Sequence, residues 1–154
     1  MFINNNLIFL VNMKEELVQF IREHKIISML SEDEAEKFVN ACSCVRFPPD
    51  ALVCEEDSVA THLYILYSGE MVVYTEDMGD YIEYARLKSG DFMCEISVIS
   101  DKPTSASIKS IDQVELIAIG KKFIKELVAS NQAFNDFLNR ISIERFEENM
   151  EKQF

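Results

Sequence analysis

The chain has 154 residues, of which 48% are hydrophobic and 27% are charged, so it is long enough for one domain with a single core. Its 27 Asp and Glu residues outnumber its 15 Lys and Arg residues, which gives a net charge of -12 at pH 7. Because such a surface repels phosphate groups, we expect no DNA and no anionic membrane among its partners.

The first twelve residues carry no charge and include a five-residue apolar run from Leu7 to Val11. This run is too short to span a bilayer, and it lacks the basic start and small-residue cleavage site of a secretory signal. We therefore interpret residues 1–12 as a tail or an upstream start. We expect a cytoplasmic protein whose four cysteines are reduced thiols.

Residues 13–45 are predicted to form the N-terminal helices. The first helix has apolar positions three and four residues apart: Leu17, Phe20, Ile21 and His24. Ser31 and Glu34 have the spacing of a capping box, which marks the start of a second amphipathic helix. Its apolar face follows: Ala35, Phe38, Val39 and Cys42.

Residues 46–120 shift to the period of two that is typical of β-strands. Residues 62–77 predict two strands joined by a turn at Ser68 and Gly69, and residues 78–80 predict another turn. Further short strands are predicted at 81–87, 105–111 and 114–120. Short strands without long helices between them indicate an antiparallel β-roll or jelly roll.

Residues 121–154 return to the helical period. A short helix is predicted over 121–131, and Asn131 is placed to cap a longer one. The longer helix has an apolar stripe, continued with a rotation toward its end: Phe134, Phe137, Leu138, Ile141, then Ile143, Phe146 and Met150. The stripe either packs on the β-roll or forms the two-helix seam of a homodimer, and the sequence leaves both open.

The whole pattern predicts an α+β, mainly β, single domain over residues 13–154. Two stretches resemble the cyclic nucleotide-binding domain family, whose members include catabolite activator sensors and kinase and channel regulatory domains. Residues 47–74 resemble the family's opening strands, and "GDFMCEISVISDKPTSASI" at 90–108 resembles its phosphate-binding cassette. The resemblance implies a non-catalytic regulatory or sensor module.

The resemblance also implies a ligand-binding site within the cassette. In the family, the glutamate that matches Glu95 accepts a hydrogen bond from the ribose; the alternative interpretation is a solvated glutamate that caps the short helix. Residues matching Ser105 and Ala106 contribute a hydroxyl and a backbone amide. The expected ligand-binding residues are Met93, Cys94, Glu95, Ile96, Ser97, Thr104, Ser105 and Ala106.

The cassette departs from the family at the position of its phosphate-binding arginine, which here is Thr104. A charge-assisted hydrogen bond contributes about 1.5–3 kcal/mol, so its loss weakens phosphate binding roughly tenfold to a hundredfold. Lys102, Arg86 and Lys109 are nearby cations in the sequence, but none stands at the family's position.

Three family glycines are also replaced. Cys94 stands before the glutamate, where it is either buried filler or a redox-sensing thiol at a helix start. Asp50 and Asp57 replace the other two. Because aspartate tolerates the left-handed conformation, we expect these turns to survive.

These observations predict a regulatory module with an altered pocket that takes cyclic AMP (cAMP), cyclic GMP (cGMP) or a non-standard small ligand. The alternative is a degenerate domain without nucleotide binding that serves as a dimerisation or interaction scaffold. We expect no catalytic residues, no cofactor and no metal, because the cysteines lack paired C-x-x-C spacing and only His24 and His62 exist. Since eight residues follow Phe146, no helix-turn-helix is expected.

Overall fold

The computed structural model describes residues 15–153, with side chains described through residue 144. The predicted tail at 1–12 and the side chains of Phe146 and Met150 lie outside that part. The helices are α1 (Glu15–Glu23), a 3-10 helix (Lys25–Met29), α2 (Glu32–Ala41), α3 (Glu95–Ser100), α4 (Lys121–Ser130) and α5 (Gln132–Gln153). No described helix is both long and apolar enough to cross a membrane.

Eight described strands form two antiparallel four-stranded sheets, which confirms the predicted α+β fold with a central β-roll. The strands are β1 (Cys42–Phe47), β2 (Leu52–Cys54), β3 (His62–Ser68), β4 (Met71–Asp77), β5 (Asp80–Leu87), β6 (Phe92–Met93), β7 (Ser107–Ser110) and β8 (Val114–Gly120). The first sheet has the order β1-β8-β3-β6, and the second has the order β2-β7-β4-β5. The cassette therefore joins β6 of the first sheet to β7 of the second.

The alternation of side chains along the first sheet divides its residues between two apolar clusters. Ile65 and Ile117, which are paired across β3 and β8, face the helices, whereas Leu66 and Leu116 face the interior of the roll. The interior cluster is completed by residues of the second sheet such as Met71 and Ile108. Each face of the first sheet is thus buried against a different partner.

Helices from both ends of the chain cover the outer face of the first sheet. The predicted stripe of α5 is buried there in one cluster with α1, α2 and α4: Phe134, Phe137, Leu138 and Ile141. These four residues therefore pack on the roll, as one of the two alternatives predicted, and are not available for a dimer seam. Ile143, by contrast, is 59% exposed, and the homodimer stays a prediction.

The two helix caps predicted from the sequence are confirmed, but the predicted end of the N-terminal helical region is wrong. The Ser31 hydroxyl accepts from the Glu34 amide at 3.2 Å, while the Glu34 carboxylate accepts from the Ser31 amide at 3.0 Å. Asn131 caps α5 by accepting from the Phe134 amide at 3.0 Å. The boundary predicted at residue 45 was wrong because Cys42 already pairs with Ile119 on β8; long-range pairing overrides the local helical period.

Candidate functional site

The cassette keeps the backbone course of a loop, one short helix and a returning strand. Cys94 adopts a left-handed conformation with φ 71°, ahead of α3, and Asp101 ends α3 with φ 60°. Asp50 and Asp57 are also left-handed, with φ 60° and 62°. The expectation that these turns survive the loss of glycine is therefore confirmed, since Asp tolerates this region of conformational space.

Thr104, at the position of the family's arginine, is joined to the segment between β2 and β3. Its hydroxyl donates to the Glu55 carbonyl at 2.5 Å and accepts from the Ser58 amide at 3.3 Å. Its own backbone amide donates to the Ser58 carbonyl at 2.8 Å, and its carbonyl accepts from the Asp57 amide at 2.9 Å. The hydroxyl proton that a phosphate would require is therefore already donated within the protein.

Ser97 makes a second connection between the cassette and the same segment. Its side chain is only 2% exposed. The hydroxyl accepts from the Ala60 amide at 2.9 Å and donates to the Lys102 carbonyl at 2.7 Å. These bonds hold α3, the end of the cassette and the β2–β3 segment together, so Ser97 has a structural role in this conformation.

The other predicted site residues differ widely in exposure. Glu95 is 2% exposed at the first position of α3, which excludes the interpretation as a solvated glutamate. Met93 is fully buried in the interior cluster, and Ile96 is exposed. Ser105 is exposed and Ala106 is half-buried at the entry to β7. The eight residues therefore do not all face one space.

A cavity of about 260 Å³ lies between the β2–β3 segment and the cassette. Of the eight predicted ligand-binding residues, only Thr104 lines this cavity. The rest of the lining comes from β2, β3 and the segment between them: Leu52, Val53, Cys54, Glu55, Ser58, Val59, Ala60, Thr61 and Tyr64. The sequence identifies residues 47–74 as resembling the family's opening strands, but no motif in them marks which side chains reach the cavity.

Among the described residues that line this cavity, Glu55 is the only charged one. Arg86 pairs with Glu83 at 3.1 Å. Lys109 lies 3.8 Å from Asp50 and over the rings of Tyr74 and Tyr81. Lys102 is exposed on the loop after α3. None of the three replaces the missing guanidinium in the cavity lining.

The cassette contacts the flanking helical regions at two points, Asp101 after α3 and Gly90 at its start. The Asp101 carboxylate pairs with Lys121 and Lys125 of α4. Hydrogen bonds from the two lysines lower the pKa of this carboxyl, and the bond from Lys121 has the larger effect. At the other end, His24 Nε2 donates to the Gly90 carbonyl at 2.7 Å while Nδ1 accepts from the Ile26 amide. This neutral tautomer agrees with burial, which lowers the pKa of His24. The cassette is thus in contact with both terminal helical regions.

The expectation of four reduced thiols was wrong. Cys54 of β2 and Cys94 of the cassette form a disulfide, whereas Cys42 and Cys44 are free. The two bonded residues are 40 positions apart in sequence, and their proximity results from the closure of the roll. The sulfur of Cys94 therefore stands where the family has the open space of a glycine. No group of three or more potential metal-ligating side chains occurs in the described part of the chain.

Comparison with known proteins agrees with this arrangement. A sequence model of the cyclic nucleotide-binding domain matches residues 44–131, which is more than half of the chain. The chain belongs to the cyclic nucleotide-binding domain family. It is 29% identical over 110 residues to a cAMP-dependent protein kinase regulatory subunit of Aspergillus fumigatus, covering 71% of this chain and 26% of that protein. The chain thus spans about a quarter of the length of the curated relatives it matches.

Solved structures show the same fold at lower identity. The regulatory subunit of a cAMP-independent protein kinase A from Trypanosoma brucei superposes with a TM-score of 0.76 at 20% identity, covering 91% of this chain and 51% of that one. A triply substituted form of that subunit, in which one change is threonine to arginine, has cAMP bound in its A site and superposes with the same score, identity and coverage. This cyclic nucleotide-binding domain is therefore homologous to regulatory subunits of kinases.

Proposed function

We propose that this domain is a non-catalytic regulatory module whose pocket selects against cyclic nucleotide phosphates and takes an uncharged or cationic small ligand. The observation that supports this most strongly is the hydrogen bonding of Thr104. Its hydroxyl is engaged by Glu55 and Ser58, and it offers no positive charge where the family has arginine.

The charges of the residues that line the cavity also disfavour a phosphate. A cyclic phosphate entering it would approach the acidic residue Glu55, with no lysine or arginine among the described lining residues. Like charges repel more strongly where water is partly excluded. An uncharged ligand avoids this cost and can still use the hydroxyls of Ser58, Thr61 and Tyr64.

Two structures of the Trypanosoma brucei subunit connect a threonine-to-arginine change with bound cAMP in this fold. That subunit is described as part of a cAMP-independent kinase, and its form with a threonine-to-arginine change is described as bound to cAMP. The present domain has threonine at the cassette position where its family has arginine. That form carries three substitutions, of which the threonine-to-arginine change is one, so the analogy motivates a direct test of position 104.

The proposal is tested by calorimetric titration of the reduced wild-type protein with cAMP, cGMP and the uncharged nucleosides adenosine and guanosine. We expect no saturable binding of either cyclic nucleotide in the low micromolar range, and no preference for a cyclic nucleotide over its nucleoside. A Kd at or below the low micromolar range for cAMP or cGMP would contradict the proposal.

A second candidate function is a scaffold with no small ligand, and one observation favours it. The hydroxyls of Thr104 and Ser97 join the cassette to the β2–β3 segment through hydrogen bonds within the protein. A thermal-shift screen of neutral and cationic metabolites separates the two candidates. Stabilisation by at least one uncharged or cationic compound supports the ligand-binding module, while stabilisation by a protein partner alone supports the scaffold.

A further inference from the structure

The Cys54–Cys94 pair connects the two parts of the molecule that enclose the cavity. Cys54 ends β2 in the second sheet, and Cys94 lies between β6 of the first sheet and α3. Their Cα atoms are 7.5 Å apart, and the bond spans the interior between the sheets. It is the one covalent link between the cassette and β2, beside the hydrogen bonds of Ser97 and Thr104.

We propose that Cys54 and Cys94 are a reversible redox pair that exchanges with a low-molecular-weight disulfide of the glutathione type and locks the cassette onto β2. This modification site does not depend on which ligand the cavity takes. Its two states differ by one covalent bond between β2 and the cassette, so the cassette is free to move over a wider range when the pair is reduced.

Contact with the cavity distinguishes this pair from the other two cysteines. Cys54 is only 8% exposed but lines the cavity, and its partner Cys94 is half-buried, so a small thiol can approach the bond from the cavity. Cys42 donates its S–H to the Phe38 carbonyl at 3.2 Å, and burial raises its pKa to about 12. Cys44 is 1% exposed, with a pKa also raised by burial. Disulfides that solvent reaches are the exchangeable ones, and only thiolates attack them.

Oxidation proceeds by two exchange steps. The Cys94 thiolate, as the more exposed sulfur, attacks one sulfur of the small disulfide RSSR, forming a mixed disulfide and releasing RS⁻. The Cys54 thiolate then attacks the Cys94 sulfur, forming the Cys54–Cys94 bond and releasing the second RS⁻. The two protein thiols lose two electrons and two protons, which the two RSH molecules carry, and reduction is the reverse.

The bond restricts the cassette because of what Cys94 adjoins. Glu95 and Ser97 follow it on α3, and the segment bound by Ser97 and Thr104 follows Cys54. When the pair is reduced, only hydrogen bonds hold the cassette to this segment. We therefore expect faster amide hydrogen exchange over residues 94–104 in the reduced protein, with no change in α2 or α5.

The first experiment equilibrates the wild-type protein in glutathione buffers of graded redox ratio, then traps thiols with an alkylating reagent and maps them by mass spectrometry. We expect the free-thiol count to change from four to two in one reversible step confined to Cys54 and Cys94. Four thiols at the most oxidising ratio, a persistent mixed disulfide, or a bond retained at the most reducing ratio would each overturn the proposal.

The second experiment measures thermal unfolding and hydrogen exchange in both states. Opening a cross-link over 40 residues is expected to lower Tm by about 10 °C. Cys94→Ser should unfold at the same temperature with or without reductant, whereas the matched control Cys42→Ser should keep the wild-type redox shift. Equal Tm and equal amide hydrogen exchange over residues 94–104 in the oxidised and reduced wild-type protein would contradict the proposal that the disulfide restricts the cassette.

Discussion

The two faces of the first sheet differ in how closely their residues match the pattern of the cyclic nucleotide-binding domain family. The outer face is covered by terminal helices in a continuous apolar cluster that includes Ile21, Phe38 and Phe134. The inner face borders a cavity lined by Thr104, at the position of the family's arginine, and by Cys54, whose disulfide partner Cys94 replaces a family glycine. Packing that preserves a fold can thus remain while single polar substitutions alter the chemistry of its site.

The largest effect is expected on the outer face, where Phe38 is fully buried between helices and sheet. Phe38→Ala removes a large ring and leaves a cavity, so it should lower the free energy of unfolding by about 3–5 kcal/mol. Denaturant unfolding measures this loss, with the exposed Ile143→Ala as control. A loss below about 1 kcal/mol would contradict the importance of this cluster.

A smaller effect is expected where the cassette meets the β2–β3 segment. Ser97→Ala leaves the Ala60 amide and the Lys102 carbonyl without their hydroxyl partner, so it should cost about 1–3 kcal/mol of stability. Hydrogen exchange should rise at residues 58–61 and 95–102. Ser100→Ala, on the exposed side of α3, is the control, and equal effects of the two changes would contradict the role of Ser97.

The third effect is a pH dependence that arises at the junction of the cassette and the N-terminal helices. Burial lowers the pKa of His24 in the folded state despite its bond to Gly90. Because the unfolded chain then binds a proton more readily, stability is full above about pH 6.5, the ordinary His pKa, and falls as pH drops below it.

The measurement is denaturant unfolding at several values between pH 7.5 and pH 5. His24→Gln should reduce the decline in stability, while the contribution of His62, whose pKa burial also lowers, should persist. An unchanged pH profile in His24→Gln would assign the decline to other groups.

The sequence predicted local features better than contacts between distant segments. The Ser31–Glu34 capping box and the Asn131 cap depend on residues three positions apart, so their spacing reveals them. The cassette was recognised as a contiguous motif. The cavity lining from β2 to β3 and the Cys54–Cys94 bond depend on closure of the roll, which no local spacing encodes.

The central claim is that the residue at position 104 determines whether this cavity accepts a cyclic phosphate. Its most direct test is the affinity of Thr104→Arg for cAMP, measured by calorimetry on reduced protein beside the wild type. Thr104→Val is the matched control, because it removes the hydroxyl's hydrogen bonds to the Glu55 carbonyl and the Ser58 amide without adding charge. We predict that arginine strengthens binding roughly tenfold to a hundredfold and that valine does not. Equal affinity of all three proteins for cAMP would contradict the account.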